Sequence, residues 1–186
     1  MKAVRFHKIG GPEVLVYEVV PDPTPKDGEV LIRIEAVGLN FADVMRRRGD
    51  DYPQPSPPPF ILGAEVAGTI AAVGKGVTSL EVGTPVLATP GEGGYAPYIC
   101  VPAAMVIPLP DGISAVQAAA LMGHGLTAAI ALRNAARLAP GESVLIEAAA
   151  GGVGSFAVQL AKLYGAGNVI AAASTPEKRA DWRQLH

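Results

Sequence analysis

The sequence predicts an α+β chain in which a small β-barrel domain is followed by part of a parallel α/β domain. Two observations support this fold class. Up to residue 113 the chain consists of short apolar runs separated by Gly and Pro turns, a pattern typical of a small, partly open barrel. From residue 114 to 138 the pattern becomes helical and alanine-rich, and residues 139–186 then begin a strand–helix–strand unit. We therefore predict domains at residues 1–113 and 139–186, joined by connecting helices in residues 114–138.

The first region is read as a series of strands with one short helix. Alternating or β-branched apolar residues predict strands over residues 3–6, 14–20, 30–36, 63–73, 85–88 and 95–101. Residues 41–48 are expected to form one or two helical turns. Residues 52–59 are mostly proline, which cannot donate a backbone hydrogen bond, so they are expected to be an extended surface loop.

The most informative segment is residues 143–162 (SVLIEAAAGGVGSFAVQLAK). Its first five residues are typical of a buried parallel strand, and apolar residues recur at helical spacing after the glycines. A strand, a glycine turn and a helix in this order direct backbone N–H groups at one point, which suits a pyrophosphate. The motif is A-x-G-x-x-G, with Ala149 in place of the first glycine; Gly151 would admit the phosphates and Gly154 would let the helix lie close to the strand. The alternative is an Ala/Gly-rich helix start of the kind found in any α/β protein.

The residues after the next predicted strand, 168–173 (NVIAAA), indicate which nucleotide would bind. A cofactor without a 2′-phosphate usually requires Asp or Glu there, but Ser174 stands at this position and is followed by Lys178 and Arg179. Hydroxyls and cations favour a phosphate, so the sequence predicts NADPH rather than NADH. A second interpretation is a helix N-cap at Ser174 or Thr175, with proline at the first helical position. The two interpretations are compatible.

Composition excludes several classes of function. With 15 basic and 17 acidic residues and a net charge of −2, the chain offers no electrostatic case for binding nucleic acid or an anionic membrane. The N-terminal MKAVRFHK lacks the apolar stretch of a signal peptide, and no apolar run looks long and clean enough to span a bilayer. The single Cys100 cannot form an internal disulfide and fits a reducing compartment. These features predict a soluble cytoplasmic protein.

Six stretches together resemble one family over the whole length of the chain. They are GGPEVL (10–15), VGLNFADVMRRRG (37–49), GAEVAGTIAAVG (63–74), GGYAPY (93–98), GLTA (125–128) and AAAGGVGS (148–155). The chain resembles the quinone oxidoreductase branch of the medium-chain dehydrogenase/reductase superfamily. The resemblance implies a chaperonin-10-like barrel, a Rossmann domain and an active site between them. It also implies NADPH-dependent reduction of a quinone or an activated double bond.

The same resemblance implies a site without zinc. Asn40 stands where the zinc alcohol dehydrogenases of the superfamily have a catalytic cysteine, and Ala64 stands where they have a ligand histidine. Zinc needs three or four N, S or O ligands around one point, and Asp43 and Glu65 alone would make a poor site. We therefore expect no metal.

By resemblance, Asn40, Tyr52 and Thr127 line the nicotinamide and substrate pocket and are the candidate catalytic residues. Asn40 and Thr127 would hydrogen-bond the carboxamide, the substrate oxygens or a water, and Tyr52 would supply an aromatic wall and a phenol O–H. Without the family, Asn40 would be read as a turn residue and Tyr52 as an ordinary surface residue. The candidate cofactor-binding residues are Ala149, Gly151, Gly152, Val153, Gly154, Ser174, Lys178 and Thr127.

Three further features receive structural interpretations. Asp43 is expected to cap or orient the short helix, and the arginines at 46–48 are expected to form a solvated face. His124, beside the GLTA stretch, is a candidate proton donor, but an isolated histidine in a helical segment is more often structural.

The sequence contains only two of the roughly six strands of a Rossmann domain. The resemblance implies that the rest of the nicotinamide pocket and the usual dimerisation strand lie in the absent part, so a homo-oligomer is left open. Two functions are therefore considered. The chain is either part of a working NADPH-dependent reductase of small quinones or enones, or a non-catalytic remnant that serves as a nucleotide-binding or structural module.

Overall fold

A computed structural model describes residues 1–53 and 56–179. The chain forms two compact units, Met1–Ala119 and Ala120–His186. Each unit is described by itself below. The domain boundaries expected at residues 113 and 138 stay predictions.

Apart from the first residues of a later helix, the first unit consists of strands with one short helix, as the sequence predicts. Its strands are β1 (Lys2–Phe6), β2 (Leu15–Val19), β3 (Glu29–Gly38), β4 (Phe60–Ile61), β5 (Glu65–Val73), β6 (Pro85–Ala88), β7 (Tyr98–Pro102) and β8 (Val106–Pro108). Helix α1 (Phe41–Arg48) follows β3, and 3₁₀ turns occupy Pro12–Val14 and Ala103–Met105.

Two antiparallel sheets make up this unit. One has the strand order β7-β3-β5-β6-β8 and the other the order β2-β1-β4. The alternation in β3 turns Val30 and Ile32 inward, where both are fully buried against residues of β5, β6 and β7. The β3–β5 pairing contains register shifts, and there a Cβ on Gly68 would lie 2.0 Å from the carbonyl oxygen of Arg33, so only glycine fits.

The second unit combines helices with a two-stranded parallel sheet. A helical stretch, Ala115–Ala135, begins in the first unit and comprises α2 (Ala115–Ala120), a π-helical turn (Leu121–Gly125), α3 (Leu126–Ile130) and a second π-helical turn (Ala131–Ala135). Strand β9 (Ser143–Ile146), helix α4 (Gly152–Leu163) and parallel strand β10 (Asn168–Ala171) follow. Val158 and Ala161 of α4 are fully buried in the core of this unit. The strand–turn–helix–strand arrangement is the start of a Rossmann domain, which confirms the predicted fold class.

One expectation about membranes is wrong. Among the described residues, the stretch Ala115–Ala135 has 21 residues and a mean hydropathy of 1.5, which is long and apolar enough to span a bilayer. Gly123 and Gly125 lie within this stretch, and the helix continues through both as a π-helical turn. The similarity to a membrane span is one of length and composition, which core helices of soluble proteins share.

Candidate functional site

The glycine turn of the second unit joins the end of β9 to the start of α4. Ala148 adopts a left-handed conformation (φ 51°), which makes the turn tight. The N–H of Ala149 donates to the carbonyl of Ala172 (2.9 Å), and the N–H of Gly151 donates to the carbonyl of Ala148 (2.8 Å). These two N–H groups therefore hold the turn in shape.

Gly154 permits the close helix–strand approach expected from the motif. A Cβ at this position would lie 2.3 Å from the carbonyl oxygen of Ala148 and 2.7 Å from the Cα of Ala149. Both neighbours are backbone atoms, so a side chain here would force α4 away from the turn.

The donors that remain for an anion are at the first turn of α4. Gly151 is the N-cap, and the first backbone bond of the helix runs from the N–H of Ser155 to the carbonyl of Gly151 (2.9 Å). The N–H groups of Gly152, Val153 and Gly154 precede this bond and project from the positive end of the helix dipole. This arrangement suits a phosphate.

A cleft of about 400 Å³ lies beside this turn, at the carboxyl ends of β9 and β10. One wall is formed by residues of the glycine turn, including Gly151, and the other by residues following β10, including Ser174 and Lys178. The structure thus brings together three of the residues that the sequence assigned to nucleotide binding. Their place at the carboxyl ends of adjacent parallel strands is where open α/β sheets bind ligands.

The cleft also contains a carboxylate that sequence reasoning missed. Glu147 was read as the last residue of a buried strand, but β9 ends at Ile146 and Glu147 is an exposed residue lining the cleft. The sequence did contain one sign that Glu147 would line the cleft, because this residue lies at the carboxyl end of the strand, immediately before the glycine turn. Glu147 and Lys178, whose side chains carry opposite charges, line the same cleft.

The N-cap interpretation of the residues after β10 is confirmed, and Thr175 is the capping residue. The N–H of Lys178 donates to Thr175 Oγ1 (3.3 Å), and the N–H of Arg179 donates to the carbonyl of Thr175 (3.2 Å). Hydrogen bonds from its own backbone N–H and from the Thr175 side chain lower the pKa of Glu177. Since Thr175 takes the capping role, Ser174 is left to line the cleft.

His124 and Thr127 lie on the helical stretch that precedes β9. The imidazole of His124 packs on the start of α4, where a Cβ on Gly152 would lie 2.7 Å from Nε2. Thr127 Oγ1 donates to the carbonyl of Gly123 (2.6 Å) within the helix, so its hydroxyl retains only acceptor capacity. Thr127 is not among the residues lining the cleft.

Asn40 and Tyr52 lie in the first unit, close to α1. Asn40 is the N-cap of α1, and its N–H donates to the carboxylate of Asp43 at the third helical position (2.8 Å). The expectation that Asp43 caps this helix is confirmed. The ring of Tyr52 is half-buried, with the guanidinium of Arg46 5.8 Å from its centroid.

The expectation of a solvated arginine face is wrong for two of the three arginines. Arg46 and Arg47 are about 5% and 6% exposed, whereas Arg48 is exposed. Arg46 donates to the carbonyl of Gly91 (2.6 Å) and to Ser56, and Arg47 donates to the carbonyl of Gly10. These acceptors belong to loops that fold over α1, so the guanidinium groups are buried with partners rather than hydrated.

Among the described residues, no group of three or more His, Cys, Asp or Glu side chains could hold a metal ion. Asn40 and Ala64 occupy the positions where the resemblance would place zinc ligands in other branches. The absence of zinc stays a prediction, because it concerns the protein in solution.

Comparison with known proteins extends these observations. Residues 26–111 match the sequence family "Alcohol dehydrogenase GroES-like domain". A quinone oxidoreductase of Pseudomonas aeruginosa is 44% identical over 184 residues, which are 98% of this chain and 56% of that protein.

Two crystal structures are similar over almost the whole chain. One is a quinone oxidoreductase of Pseudomonas syringae pv. Tomato, with a TM-score of 0.90, 44% identity, and coverage of 99% of this chain and 56% of that one. The other is a quinone oxidoreductase of Escherichia coli complexed with NADPH, with a TM-score of 0.91, 36% identity, and coverage of 99% and 56%. The chain thus spans about half the length of the relatives it matches.

Proposed function

Because the chain belongs to the quinone oxidoreductase branch of the medium-chain dehydrogenase/reductase superfamily, we propose that the protein reduces small quinones or activated double bonds with NADPH. NADPH, when bound, supplies the hydride from its nicotinamide ring. The observation that carries the proposal is the cleft at the carboxyl ends of β9 and β10, where the glycine turn, Ser174 and Lys178 meet.

The residues of the cleft and of the adjoining helix start fit the phosphate groups of this cofactor. The N–H groups at the start of α4 would hold the pyrophosphate, because they lie at the positive end of a helix and precede its first backbone bond. Gly151 lines the cleft without a Cβ, which leaves room for the phosphates. The hydroxyl of Ser174 and the ammonium group of Lys178 would hold the 2′-phosphate.

Asn40, Tyr52 and Thr127 are proposed to serve the nicotinamide and substrate half of the site. Thr127 uses its proton on the carbonyl of Gly123, so it would accept a hydrogen bond from the carboxamide NH₂. Asn40 would donate its side-chain amide to a substrate oxygen, which orients the acceptor. Tyr52 would supply an aromatic wall and a phenol O–H. In this proposal the protein acts by positioning and hydrogen bonding, and zinc takes no part.

The same proposal places the protein in the cytoplasm, where NADPH is available and the lone Cys100 stays reduced. Its substrate is a small molecule.

The test is NADPH oxidation in the presence of a simple para-quinone. The measurement is made on the 186-residue chain and on a form extended by the carboxyl-terminal half that the relatives possess. We expect turnover by the extended form and little by the short chain, because hydride donor and acceptor must be held at contact distance.

Each other outcome has a definite meaning. Comparable turnover by the short chain would mean that these residues, alone or as an oligomer, complete the nicotinamide pocket. No turnover by either form, with nucleotide binding retained, would overturn the proposed reaction. It would leave the alternative of a non-catalytic nucleotide-binding module.

A further inference from the structure

A buried carboxylate joins three segments of the first unit. Asp43 is about 5% exposed, and it lies in the first turn of α1. A carboxylate is seldom buried unless donors surround it, because leaving water costs several kcal/mol per ion. The hydrogen bonds of Asp43 therefore show which groups compensate for the loss of hydration.

Two backbone N–H groups and one phenol surround this carboxylate. Oδ2 accepts from the N–H of Asn40 (2.8 Å), and Oδ1 accepts from the N–H of Gly63 (3.3 Å), in the loop before β5. The phenol of Tyr95, in the segment before β7, lies beside Asp43. Burial first, and then the negative charge and hydrogen bonding of Asp43, raise the pKa of Tyr95.

The bond to Asn40 is the one with a consequence for chemistry. Asn40 has an extended backbone (φ −123°, ψ 156°), and its N–H is held by a carboxylate that two other segments fix in place. This backbone fixes the direction in which the Cα–Cβ bond of Asn40 leaves the chain.

We propose that Asp43 is a positioning residue for the reaction, which it serves by fixing Asn40 through the backbone. This inference rests on the proposed function for the part that Asn40 plays with substrate. In this proposal Asp43 itself touches neither substrate nor cofactor. The competing explanation is that the carboxylate only holds the barrel together, in which case its loss would affect stability and activity without regard to Asn40.

Asp43→Asn separates the two explanations, because an amide has one acceptor oxygen and one donor nitrogen. The side chain is nearly isosteric, yet it cannot accept from both Asn40 and Gly63, so one backbone N–H loses its partner. Tyr95→Phe is the second variant, which removes one donor and keeps the charge. Asp111→Asn, at an exposed carboxylate, is the matched control.

The first measurement is a double-mutant cycle on quinone reduction by the extended form of the protein. Asp43→Asn is expected to lower kcat about tenfold or more with the KM for NADPH changed by about twofold at most, and Asn40→Ala to lower kcat similarly. The double variant is expected to be no slower than Asn40→Ala alone. Independent, additive losses in the double variant would overturn the inference.

The second measurement does not depend on activity. In the ¹⁵N-labelled 186-residue chain, the Asn40 side-chain NH₂ signals are identified by their loss in Asn40→Ala. They are expected to move or broaden in Asp43→Asn, to move less in Tyr95→Phe and to stay unchanged in Asp111→Asn. Unchanged signals in a folded Asp43→Asn chain would overturn the inference. If wild-type protein reduces no quinone, the proposed function is wrong, and these signals still decide whether Asp43 positions Asn40.

Discussion

Lys178 and Glu147 carry opposite charges in the same cleft, and their balance should set the choice of nucleotide. If Ser174 and Lys178 hold the 2′-phosphate, NADPH is expected to bind about tenfold or more tightly than NADH, from roughly 1.5–3 kcal/mol of charge-assisted hydrogen bonding. Lys178→Glu should abolish or reverse this preference. Titration calorimetry with both nucleotides measures it, with the exposed Lys8→Glu as a control for a general change of charge.

Glu147→Gln tests the same charge balance by removing the negative charge instead of the positive one. Removing a negative charge from the cleft should raise NADPH affinity a few-fold, corresponding to at most about 1 kcal/mol at an exposed site, and the gain should shrink at high salt. NADH, which lacks the 2′-phosphate, should gain less. Weaker binding of both nucleotides by this variant would show that Glu147 accepts from a ribose hydroxyl instead. Equal affinities of the wild-type chain for NADPH and NADH would reject the phosphate assignment.

Helix α1 is held by its buried arginines, and this determines which substitution should destabilise it. The guanidinium of Arg46 donates to the carbonyl of Gly91 and to Ser56, and it lies 4.5 Å from the ring centroid of Phe60. A lysine keeps the charge, but it lacks the planar guanidinium group whose several N–H donors make these contacts at the same time. Arg46→Lys is therefore expected to lower the free energy of unfolding by about 1–2 kcal/mol.

Arg48→Lys is the control, because the Arg48 side chain is exposed on the same helix. Urea unfolding monitored by circular dichroism measures both variants. Equal stability of the two variants would mean that the buried contacts of Arg46 contribute nothing beyond its charge.

The outcome for α1 shows what the sequence could and could not predict about an element. Its predicted bounds, residues 41–48, are those observed, because a capping box starts the helix and Gly49 ends it in a left-handed conformation (φ 79°). Strands β4 and β8 were missed because two or three residues are too short for an alternating pattern. The burial of Arg46 was missed because its acceptors lie on loops distant in sequence.

Some residues of the candidate site could likewise be predicted from the sequence, and others could not. The cleft residues Ser174 and Lys178 could be predicted, since local motifs identify the ends of two parallel strands and such ends meet at one sheet edge. The proximity of Asp43 to Gly63 and Tyr95 could not be predicted, because it depends on how separate loops pack. The only local signal for Asp43 was its spacing from Asn40, which is that of a capping box.

For the molecule as a whole, the parallel sheet of the second unit has one covered face and one open face. Ile146 is buried in the core beside α4, and Val144 and Val169 pack on the same core. Leu145 and Ile170 are register partners on the opposite face and are 60% and 57% exposed. Parallel sheets are normally covered on both faces, so this apolar pair is an unusual surface for a protein in water.

The 186-residue chain is therefore expected to self-associate through this face and through the edge of β9. Within the described residues, β9 pairs with β10 alone, and an apolar strand edge readily accepts another chain. Leu145→Lys places a charge at the centre of the open face and should shift the chain towards monomer at a given concentration. Leu163→Lys, at a residue 77% exposed at the end of α4, should have a smaller effect. Light scattering coupled to size-exclusion chromatography measures the oligomeric state of the wild-type chain and of both variants. A wild-type chain that is monomeric at all concentrations, or an equal shift in both variants, would show that this face does not drive association.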